Sequence, residues 1–255
     1  MSPSLKISRS ALAAASVFAA LCALPAASMA QADAPASSAQ EALPIVPPEG
    51  AGQYYIVTRA DRRQCVAPGC GGYYVKAVNQ LLTLCADGSK QYDCHAYKLD
   101  TLALGLNEKQ LEALTKHYGS GKALVRGELT LVPLSDTARF SVTGLIASEA
   151  WLGQGLRKPV GSFYNVKDNG VRCITYPCPS YNEHKLNTRQ TRAIAGIDLT
   201  HSGAAQERID AGFQALTSPG GLLAAGVHTV ITGPAGRGTQ LLASEFYLPL
   251  VGDKP

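Results

Sequence analysis

Cysteine and histidine are the residues of this sequence whose types and spacing could do chemistry. Five of them lie in one stretch of the first half, namely Cys65, Cys70, Cys85, Cys94 and His95. Thiolates and an imidazole can bind zinc tetrahedrally, but Cys85 and Cys94 are spaced more widely than the usual zinc ligands. Cysteines of exported proteins are also normally oxidised. We therefore predict no metal ion and no other cofactor.

A cysteine with a histidine could also form a nucleophilic site, and Cys173 or Cys178 with His184 is the candidate pair. A catalytic thiol must be unpaired and activated by a base. The same cysteine spacing occurs twice in the chain, which favours sulfurs joined in disulfides. The chain has no G-x-S-x-G motif, the signature of many serine hydrolases. We predict no catalytic residues and keep an enzyme of unrecognised type as the third functional hypothesis.

A Ser-Glu pair occurs near the end of each half, at 148–149 and at 244–245. Both pairs lie in segments that alternate as strands do. We expect them to have a structural role, such as a hydrogen bond to a neighbouring loop, rather than a catalytic one.

The N-terminus has the pattern of a secretory signal peptide. Lys6 and Arg9 precede an apolar run over 11–24, and small residues follow up to Ala30. The run is too short for a comfortable membrane span, and the small residues fit a cleavage site after Ala30. We therefore predict a signal peptide over 1–30 and an exported protein, either periplasmic or secreted.

Cys22 raises the alternative of a lipoprotein, but Leu21 stands where a small residue is needed. Residues 31–52 are rich in Ala, Ser and Pro and can bury too little apolar surface to offset their ordering entropy. We predict a flexible linker there. The rest of the chain suits two domains of ordinary size, at 53–156 and 157–255.

The charge of the chain gives little support to a polyanionic partner. The full chain has a net charge of +4, and loss of Lys6 and Arg9 with the signal peptide leaves +2. Without a cluster of lysine and arginine, neither nucleic acid nor an anionic membrane is favoured. We expect no stable membrane insertion and an unknown partner, of which an extracytoplasmic protein is one candidate.

Two stretches of the chain correspond to each other. CVAPGCGGYYVKAVN begins at Cys65, and CITYPCPSYNEHKLN begins 108 residues later at Cys173. Two cysteines, a tyrosine and an asparagine occupy the same places in both. Near the end of each half, LIASEAWLG (145–153) matches LLASEFYLP (241–249). We interpret the chain as an internal duplication.

Each half contains one helical pattern. The first is LNEKQLEALTKHYG, in which Asn107 and Gln110 can form a capping box and His117 suits the last turn as a cation. The second is SGAAQERIDAGFQALTSPGG, whose apolar stripe would be Ile209, Phe213 and Leu216.

The remaining segments alternate as strands do, for example over 138–152 and 238–251. A helix on one face of an antiparallel sheet would bury both apolar stripes. We therefore predict an α+β fold of two tandem related units, each a disulfide-stapled antiparallel sheet packed with one helix.

Six cysteines follow the signal peptide, and six cysteines allow fifteen pairings. The second half contains only Cys173 and Cys178, which favours a bond between them and, by correspondence, Cys65–Cys70. Cys85–Cys94 is then left across a small hairpin around Ala-Asp-Gly-Ser. The rival is a cross-link between the halves, such as Cys65 to Cys178.

These motifs resemble a family of exported bacterial proteins known only as a domain of unknown function. The first-half residues that carry the resemblance are Arg63, Cys65, Val66, Pro68, Cys70, Gly71, Gly72, Tyr73, Val75, Asn79, Cys85, Ala86, Asp87, Gly88 and Cys94. Those of the second half are Arg172, Cys173, Pro177, Cys178, Pro179, Ser180 and Asn187. The resemblance implies export and a duplicated unit, and it implies no activity.

Inside the two cysteine rings lie the candidate binding residues, which are Val66, Ala67, Pro68, Gly69, Ile174, Thr175, Tyr176 and Pro177. Short closed loops bind with a small ordering cost. We hypothesise an exported, non-enzymatic binding or structural protein of unknown ligand. The second hypothesis is a protease inhibitor acting through 66–69 or 174–177. Asn79 and Asn187 would stabilise the rings by bonding the loop backbone.

Overall fold

The computed structural model describes residues 52–63, 70–133 and 140–251. Strands make up 49% and helices 14%, so the fold is largely β and the predicted α+β class is wrong. The predicted signal peptide over 1–30, all but the last residue of the predicted linker over 31–52, and the ring residues 66–69 lie outside the described residues.

In the first half, the elements run in the order β1 (Gln53–Ala60), β2 (Tyr73–Ala77), β3 (Thr83–Leu84), β4 (Lys90–Gln91), β5 (Cys94–Ala96), β6 (Lys98–Asp100), a 3-10 helix (Leu102–Leu104), α1 (Glu108–Lys116), β7 (Ala123–Pro133) and β8 (Ser141–Gly153). The second half continues with β9 (Ser162–Asp168), β10 (Tyr181–Lys185), β11 (Thr191–Ile194), β12 (Gly196–Asp198), a 3-10 helix (Thr200–Ser202), α2 (Gln206–Leu216), β13 (Leu222–Gly233) and β14 (Gly236–Pro249).

Twelve of these strands form one continuous sheet, whose main path is β11-β10-β9-β13-β14-β8-β7-β1-β2-β5. Two separate sheets were expected. They merge because β8 and β14, of 13 and 14 residues, pair with each other at their ends, on the edges opposite their hairpin partners. Residues 151–153 of β8 pair antiparallel with 247–249 of β14. All described residues consequently belong to one compact unit.

The strand pairings of the two halves correspond. β1 lies between β2 and β7, and β9 lies between β10 and β13. β7 and β8 form a long hairpin, as do β13 and β14. β6 runs parallel to β8, and β12 runs parallel to β14. Corresponding strands therefore follow in the same order from either edge of the sheet, and the β8–β14 pair lies at its centre.

The first helix begins as predicted, because Asn107 and Gln110 form a complete capping box. The expected cation at its end is not favoured, however. Burial lowers the pKa of His117, and Lys122 and Lys116 lower it further. A histidine that loses hydration in this way favours its neutral form.

The second helix differs from its predicted apolar stripe at one position. Ile209 and Leu216 are buried, but Phe213 is 42% exposed. Gly212 takes its place at the contact, since a Cβ there would lie 2.7 Å from Leu199 Cδ1 and 3.0 Å from the ring of Phe246. The helix approaches β14 through this glycine, which offsets the helical cost of about 1 kcal/mol for Gly.

Three apolar clusters hold the sheet. One lies under α1 and another under α2. The third draws on both halves, and its buried members are Val78, Leu124, Trp151, Phe163, Leu186, Leu223, Ala225 and Tyr247. Alternation along the strands separates the clusters, because Tyr55 faces the α1 cluster while Tyr54 faces the shared one. The shared cluster packs the inner faces of the two halves against each other.

Asn79 and Asn187 exchange hydrogen bonds between the halves. Asn79 Nδ2 donates to the carbonyls of Phe163 (2.7 Å) and Leu186 (3.0 Å), and its Oδ1 accepts from Phe163 N at 2.8 Å. Asn187 makes the same three kinds of bond, to Tyr54 and to the carbonyl of Val78.

Both asparagines have a left-handed backbone, with φ of 60° and 57°. Asparagine tolerates this conformation better than most residues. The expected bonds to each asparagine's own loop are therefore replaced by bonds that cross from one half to the other.

We predict that Asn79→Ala lowers the free energy of unfolding by about 3 kcal/mol. The substitution removes three part-buried hydrogen bonds, at about 0.5–1.5 kcal/mol each, and places alanine at a positive φ, which costs about 1 kcal/mol. Asn79→Gly should be less destabilised, because glycine tolerates that φ. Urea unfolding measures both values.

Asn182→Ala, on the exposed side of β10, is the control and should change stability by less than about 0.5 kcal/mol. If Asn79→Ala unfolds at the same urea concentration as the Asn182 variant, the exchanged bonds do not hold the halves together.

Candidate functional site

The Cys173–Cys178 ring is the most exposed of the predicted site features that the structure describes. The two cysteines are joined by a disulfide with a Cα–Cα distance of 5.6 Å, and the ring connects β9 to β10. Ile174 at its tip is completely exposed, and Tyr176 is 52% exposed. The ring therefore presents an aliphatic side chain to solvent on a closed loop.

The base of the ring rests on the tip of the β13–β14 hairpin. Ala235 N donates to Tyr176 O at 2.9 Å. Glycines permit this close approach, because a Cβ at Gly233 would lie 2.5 Å from Tyr176 O and one at Gly238 would lie 2.7 Å from Pro177 Cβ. The Tyr176–Pro177 peptide is cis. Tyr176 and Pro177 are thus held from behind, which leaves Ile174 and Thr175 as the outward part.

An ion pair fixes the chain where it enters the ring. Arg172 Nη2 donates to Asp168 Oδ2 at 2.6 Å, and Gly170 N donates to Asp168 Oδ1 at 2.7 Å. The hydrogen bond from Arg172 and then that from Gly170 hold the pKa of the Asp168 carboxyl below its usual value. Both side chains belong to the surface, so we expect a small contribution to stability.

The first ring can be followed only in part. Cys70 is buried, whereas the predicted residues Cys65, Val66, Ala67, Pro68 and Gly69 lie outside the described residues. Beside this segment, Asp61 accepts two bonds from Arg63 Nε, at 2.9 and 3.1 Å. The bond with Arg63 holds the pKa of the Asp61 carboxyl well below its usual range.

The second disulfide of the described chain joins Cys85 and Cys94. It closes the small β3–β4 hairpin, whose turn is held by bonds between Cys85 and Ser89 and between Gly88 and Cys85. This pairing and Cys173–Cys178 are the local ones favoured from the repeat. The sulfurs of these four cysteines are therefore neither zinc ligands nor nucleophiles.

Histidines beside carboxylates have structural partners. Glu183 is buried, and its carboxylate accepts from Arg192 Nε at 2.6 Å and lies 2.9 Å from His228 Nε2. His184 Nε2 lies 2.7 Å from the carbonyl of Thr188. In the described part of the chain, no group of three or more His, Cys, Asp or Glu residues could hold a metal ion.

Sequence reasoning missed a groove of about 990 Å³ between β8, β14 and α2. An ion pair lies on its wall, where Arg126 Nη1 donates to Glu149 Oε1 at 3.0 Å. The Arg126 guanidinium lies 5.3 Å from the ring centre of Tyr54, and that ring lies 5.5 Å from the ring of Trp151. We name this cavity the Ser148–Glu149 groove, since both residues line it.

The other Ser-Glu pair lies in a different environment. Glu245 is fully buried, and its Oε1 accepts from Gly155 N at 2.6 Å and from Phe246 N at 2.9 Å. Its Oε2 accepts no hydrogen bond from the described residues and lies 3.5 Å from Lys122 Nζ. Burial raises the pKa of Glu245, although the backbone donors and Lys122 oppose the shift.

The fold and these sites define a largely β protein with disulfide-closed loops and an open groove. The chain belongs to the family described as "Domain of unknown function (DUF6748)", which matches residues 54–253. No curated protein and no solved structure matches the chain. In the described part, none of the helices combines the length and the apolar character that a membrane crossing requires.

We predict that Glu245 makes the protein less stable as the pH rises. The raised folded pKa means that the protonated carboxyl contributes its full stability below the unfolded pKa, at about 4.3. That contribution is lost as the pH increases through the higher folded pKa. Glu245→Gln keeps an acceptor for Gly155 N without the buried charge, so its advantage over the wild type should grow across this window.

Urea unfolding of both proteins at a series of pH values measures the difference. Glu149→Gln, which removes the half-exposed carboxylate from the corresponding position of β8, controls for loss of one carboxylate. A wild-type stability that rises with pH relative to Glu245→Gln would contradict the prediction.

We predict that the double variant Cys173→Ser/Cys178→Ser loses about 2 kcal/mol of stability, the chain-entropy value for so short a ring. Urea unfolding without reductant measures the loss. A non-reducing peptide map provides the independent test, and a bridge from Cys173 to a first-half cysteine would overturn the pairing.

Proposed function

We propose that this chain is an exported, non-enzymatic binding protein and that the Cys173–Cys178 ring is its recognition element. The observation that carries the proposal is the complete exposure of Ile174 on a loop that is closed by a disulfide. Isolated apolar residues are common on protein surfaces. A completely exposed isoleucine on a rigid support, however, is suited to insertion into a pocket of another protein.

Rigidity supports this proposal on energetic grounds. Burial of an isoleucine side chain contributes about 1.5–3 kcal/mol, and binding must also overcome the cost of ordering a loop. Here Ala235 already holds the carbonyl of Tyr176, and the disulfide limits the loop on both sides. Most of the free energy gained by burying the Ile174 side chain would therefore contribute to association.

Export is supported by the signal-peptide pattern over 1–30 and by the two disulfides, which suit an oxidising compartment. Both point to the periplasm or the medium of a bacterium, as the family resemblance implies. The corresponding strand pairings of the halves are what a duplicated segment would produce. The partner would then be an extracytoplasmic protein.

A second candidate is a protease inhibitor that acts through the same ring. The specific observation in its favour is the division of the ring, with Tyr176 and Pro177 backed by the hairpin and Ile174 and Thr175 facing outward. A stiff outward loop can enter an active-site cleft with a small entropic cost.

We predict that Ile174→Asp weakens capture of the partner at least tenfold. The mature protein serves as bait in culture medium and in periplasmic extract, and captured proteins are quantified by mass spectrometry. Loss of one buried isoleucine should weaken capture at least tenfold, since about 1.4 kcal/mol corresponds to a factor of ten.

Leu81→Asp is the matched control, because Leu81 is also highly exposed, at 85%, but lies in the first half. Partners captured equally by the wild type and by both variants would refute the ring as the recognition element.

Inhibition assays separate the two candidates. The inhibitor hypothesis predicts that the wild type inhibits at least one member of a panel of serine and cysteine proteases and that Ile174→Asp and Tyr176→Ala lose inhibition. Absence of inhibition throughout the panel, together with Ile174-dependent capture of another protein, favours the general binding protein.

A further inference from the structure

Residues 154–161, which connect β8 to β9, lie across the second half and bend at 155–157 and at 161. Gly155 N donates to Glu245 Oε1 at 2.6 Å. Farther along, Val160 N donates to Ser244 Oγ at 2.8 Å, and that hydroxyl donates to Val160 O at 2.9 Å. The Ser-Glu pair of β14 therefore binds the backbone of a passing segment.

Other contacts complete this cradle for the connector. Leu156 N donates to Ser202 O at 3.0 Å, and Lys122 Nζ donates to the carbonyl of Gly155. Pro159 packs on Gly121, where an added Cβ would lie 2.7 Å from the proline Cγ. The cradle is thus built from a 3-10 helix, from β14 and from the turn that precedes β7.

The corresponding positions of the other half line the Ser148–Glu149 groove. Because the strand pairings of the halves match, Ser244, Glu245, Ser202, Gly121 and Lys122 correspond to Ser148, Glu149, Leu104, Gly220 and Gly221. All five of the latter residues line the groove of about 990 Å³. The chain therefore has two related cradles, and a connecting segment fills one of them.

The open groove also offers the chemistry that a peptide backbone needs. Glu149 has a side chain that is 41% exposed and is paired with Arg126, as Glu245 is paired with Lys122 in the filled cradle. Each cradle thus combines a carboxylate, which accepts from a peptide N–H, with a cation that can donate to a peptide carbonyl. Ser148 is exposed, and Trp151 adds an apolar surface.

Leu250 and Val251 begin along the corresponding path. Leu250 N donates to Ala150 O at 2.8 Å, just as Gln154 N donates to Phe246 O at 2.9 Å. At the next residue, Val251 O accepts from Gln110 Nε2 of α1 at 2.8 Å. Val251 is 72% exposed. Both residues line the groove, where the described chain ends.

We infer that the Ser148–Glu149 groove binds a peptide segment of another protein, with the pattern Gly-x-x-x-Pro. The connector supplies this pattern in Gly155 and Pro159. A glycine is required over the carboxylate, because a Cβ at Gly155 would lie 2.8 Å from Ser202 O and 3.1 Å from Glu245 Oε1. Proline has a restricted φ and suits the contact with a glycine turn, here at Gly220 and Gly221.

The test uses the connector itself as the probe. The synthetic peptide Gln-Gly-Leu-Arg-Lys-Pro-Val-Gly, which reproduces residues 154–161, is titrated into the intact protein. The sequence contains a single tryptophan, and this residue, Trp151, lines the groove. Its fluorescence therefore reports on occupancy, because the peptide has no aromatic residue. Calorimetry provides the affinity independently.

We expect saturable binding with a change in Trp151 emission. Glu149→Ala and Ser148→Ala should each weaken the affinity about 3- to 10-fold, the effect of one hydrogen bond. A peptide in which valine replaces the second residue, the counterpart of Gly155, should bind at least tenfold more weakly. Glu128→Gln, an exposed carboxylate of β7 outside the groove, should bind as the wild type does. Ile174→Asp should also leave this binding unchanged, which separates the groove from the ring.

Three results would overturn the inference. One is the lack of saturable binding by the intact protein at millimolar peptide. Another is equal affinity of the glycine and valine peptides, or an unchanged affinity of both groove variants. The third is binding that appears only after residues 252–255 are deleted, since the chain's own terminus would then be the occupant. Unfolding midpoints of the variants establish that each one is folded.

Discussion

The structure depends on the exchange of backbone hydrogen bonds through Asn79 and Asn187. Each asparagine follows the second strand of its half and reaches the first strand of the other half. An amide is the side chain that can accept from one N–H and donate to two carbonyls at once. Both positions also have a left-handed backbone, which asparagine tolerates better than most residues, so conformation and chemistry both favour asparagine. Around these bonds the shared cluster of Trp151, Phe163 and Tyr247 is closed from water.

The sequence predicts local features well because they depend on neighbouring residues. The capping box at Asn107 and the Cys85–Cys94 hairpin are such features, and so is the pairing of Cys173 with Cys178. The joining of β8 to β14 depends on long-range pairing that no local pattern specifies. The exposure of Phe213 depends likewise on how closely α2 approaches β14 through Gly212. The predicted α+β class was wrong because strands make up 49% of the structure and helices only 14%.

The same distinction between local and long-range contacts decides which candidate sites could be predicted from the sequence. The exposed residues Ile174 and Tyr176 were selected from the sequence because a short disulfide ring has few places to bury a side chain. The groove was not found, because its walls come from β8, α2 and the end of β14, which are far apart in the chain. The only signal was the second Ser-Glu pair. The expected hydrogen bonds from this Ser-Glu pair to a neighbouring loop are present at Ser244 and Glu245. The corresponding groove at Ser148 and Glu149, however, is recognised only when the strand pairings of the two halves are compared.

A chain with two corresponding halves has one connector between them, and this fact breaks the symmetry of the molecule. The segment after β8 must continue to β9, and it covers Ser244 and Glu245 on the way. The segment after β14 has no strand to reach within the described chain, and its Val251 carbonyl accepts from Gln110 Nε2. The two carboxylates have diverged accordingly. Glu245 is buried under the connector beside Lys122, whereas Glu149 is partly open and is neutralised by Arg126, where the other half has Ala225. The Arg126 guanidinium pairs with the Glu149 carboxylate and positions it on the wall of the groove. The difference between Arg126 and Ala225 is therefore the change expected if one cradle serves the fold and the other remains available for a ligand.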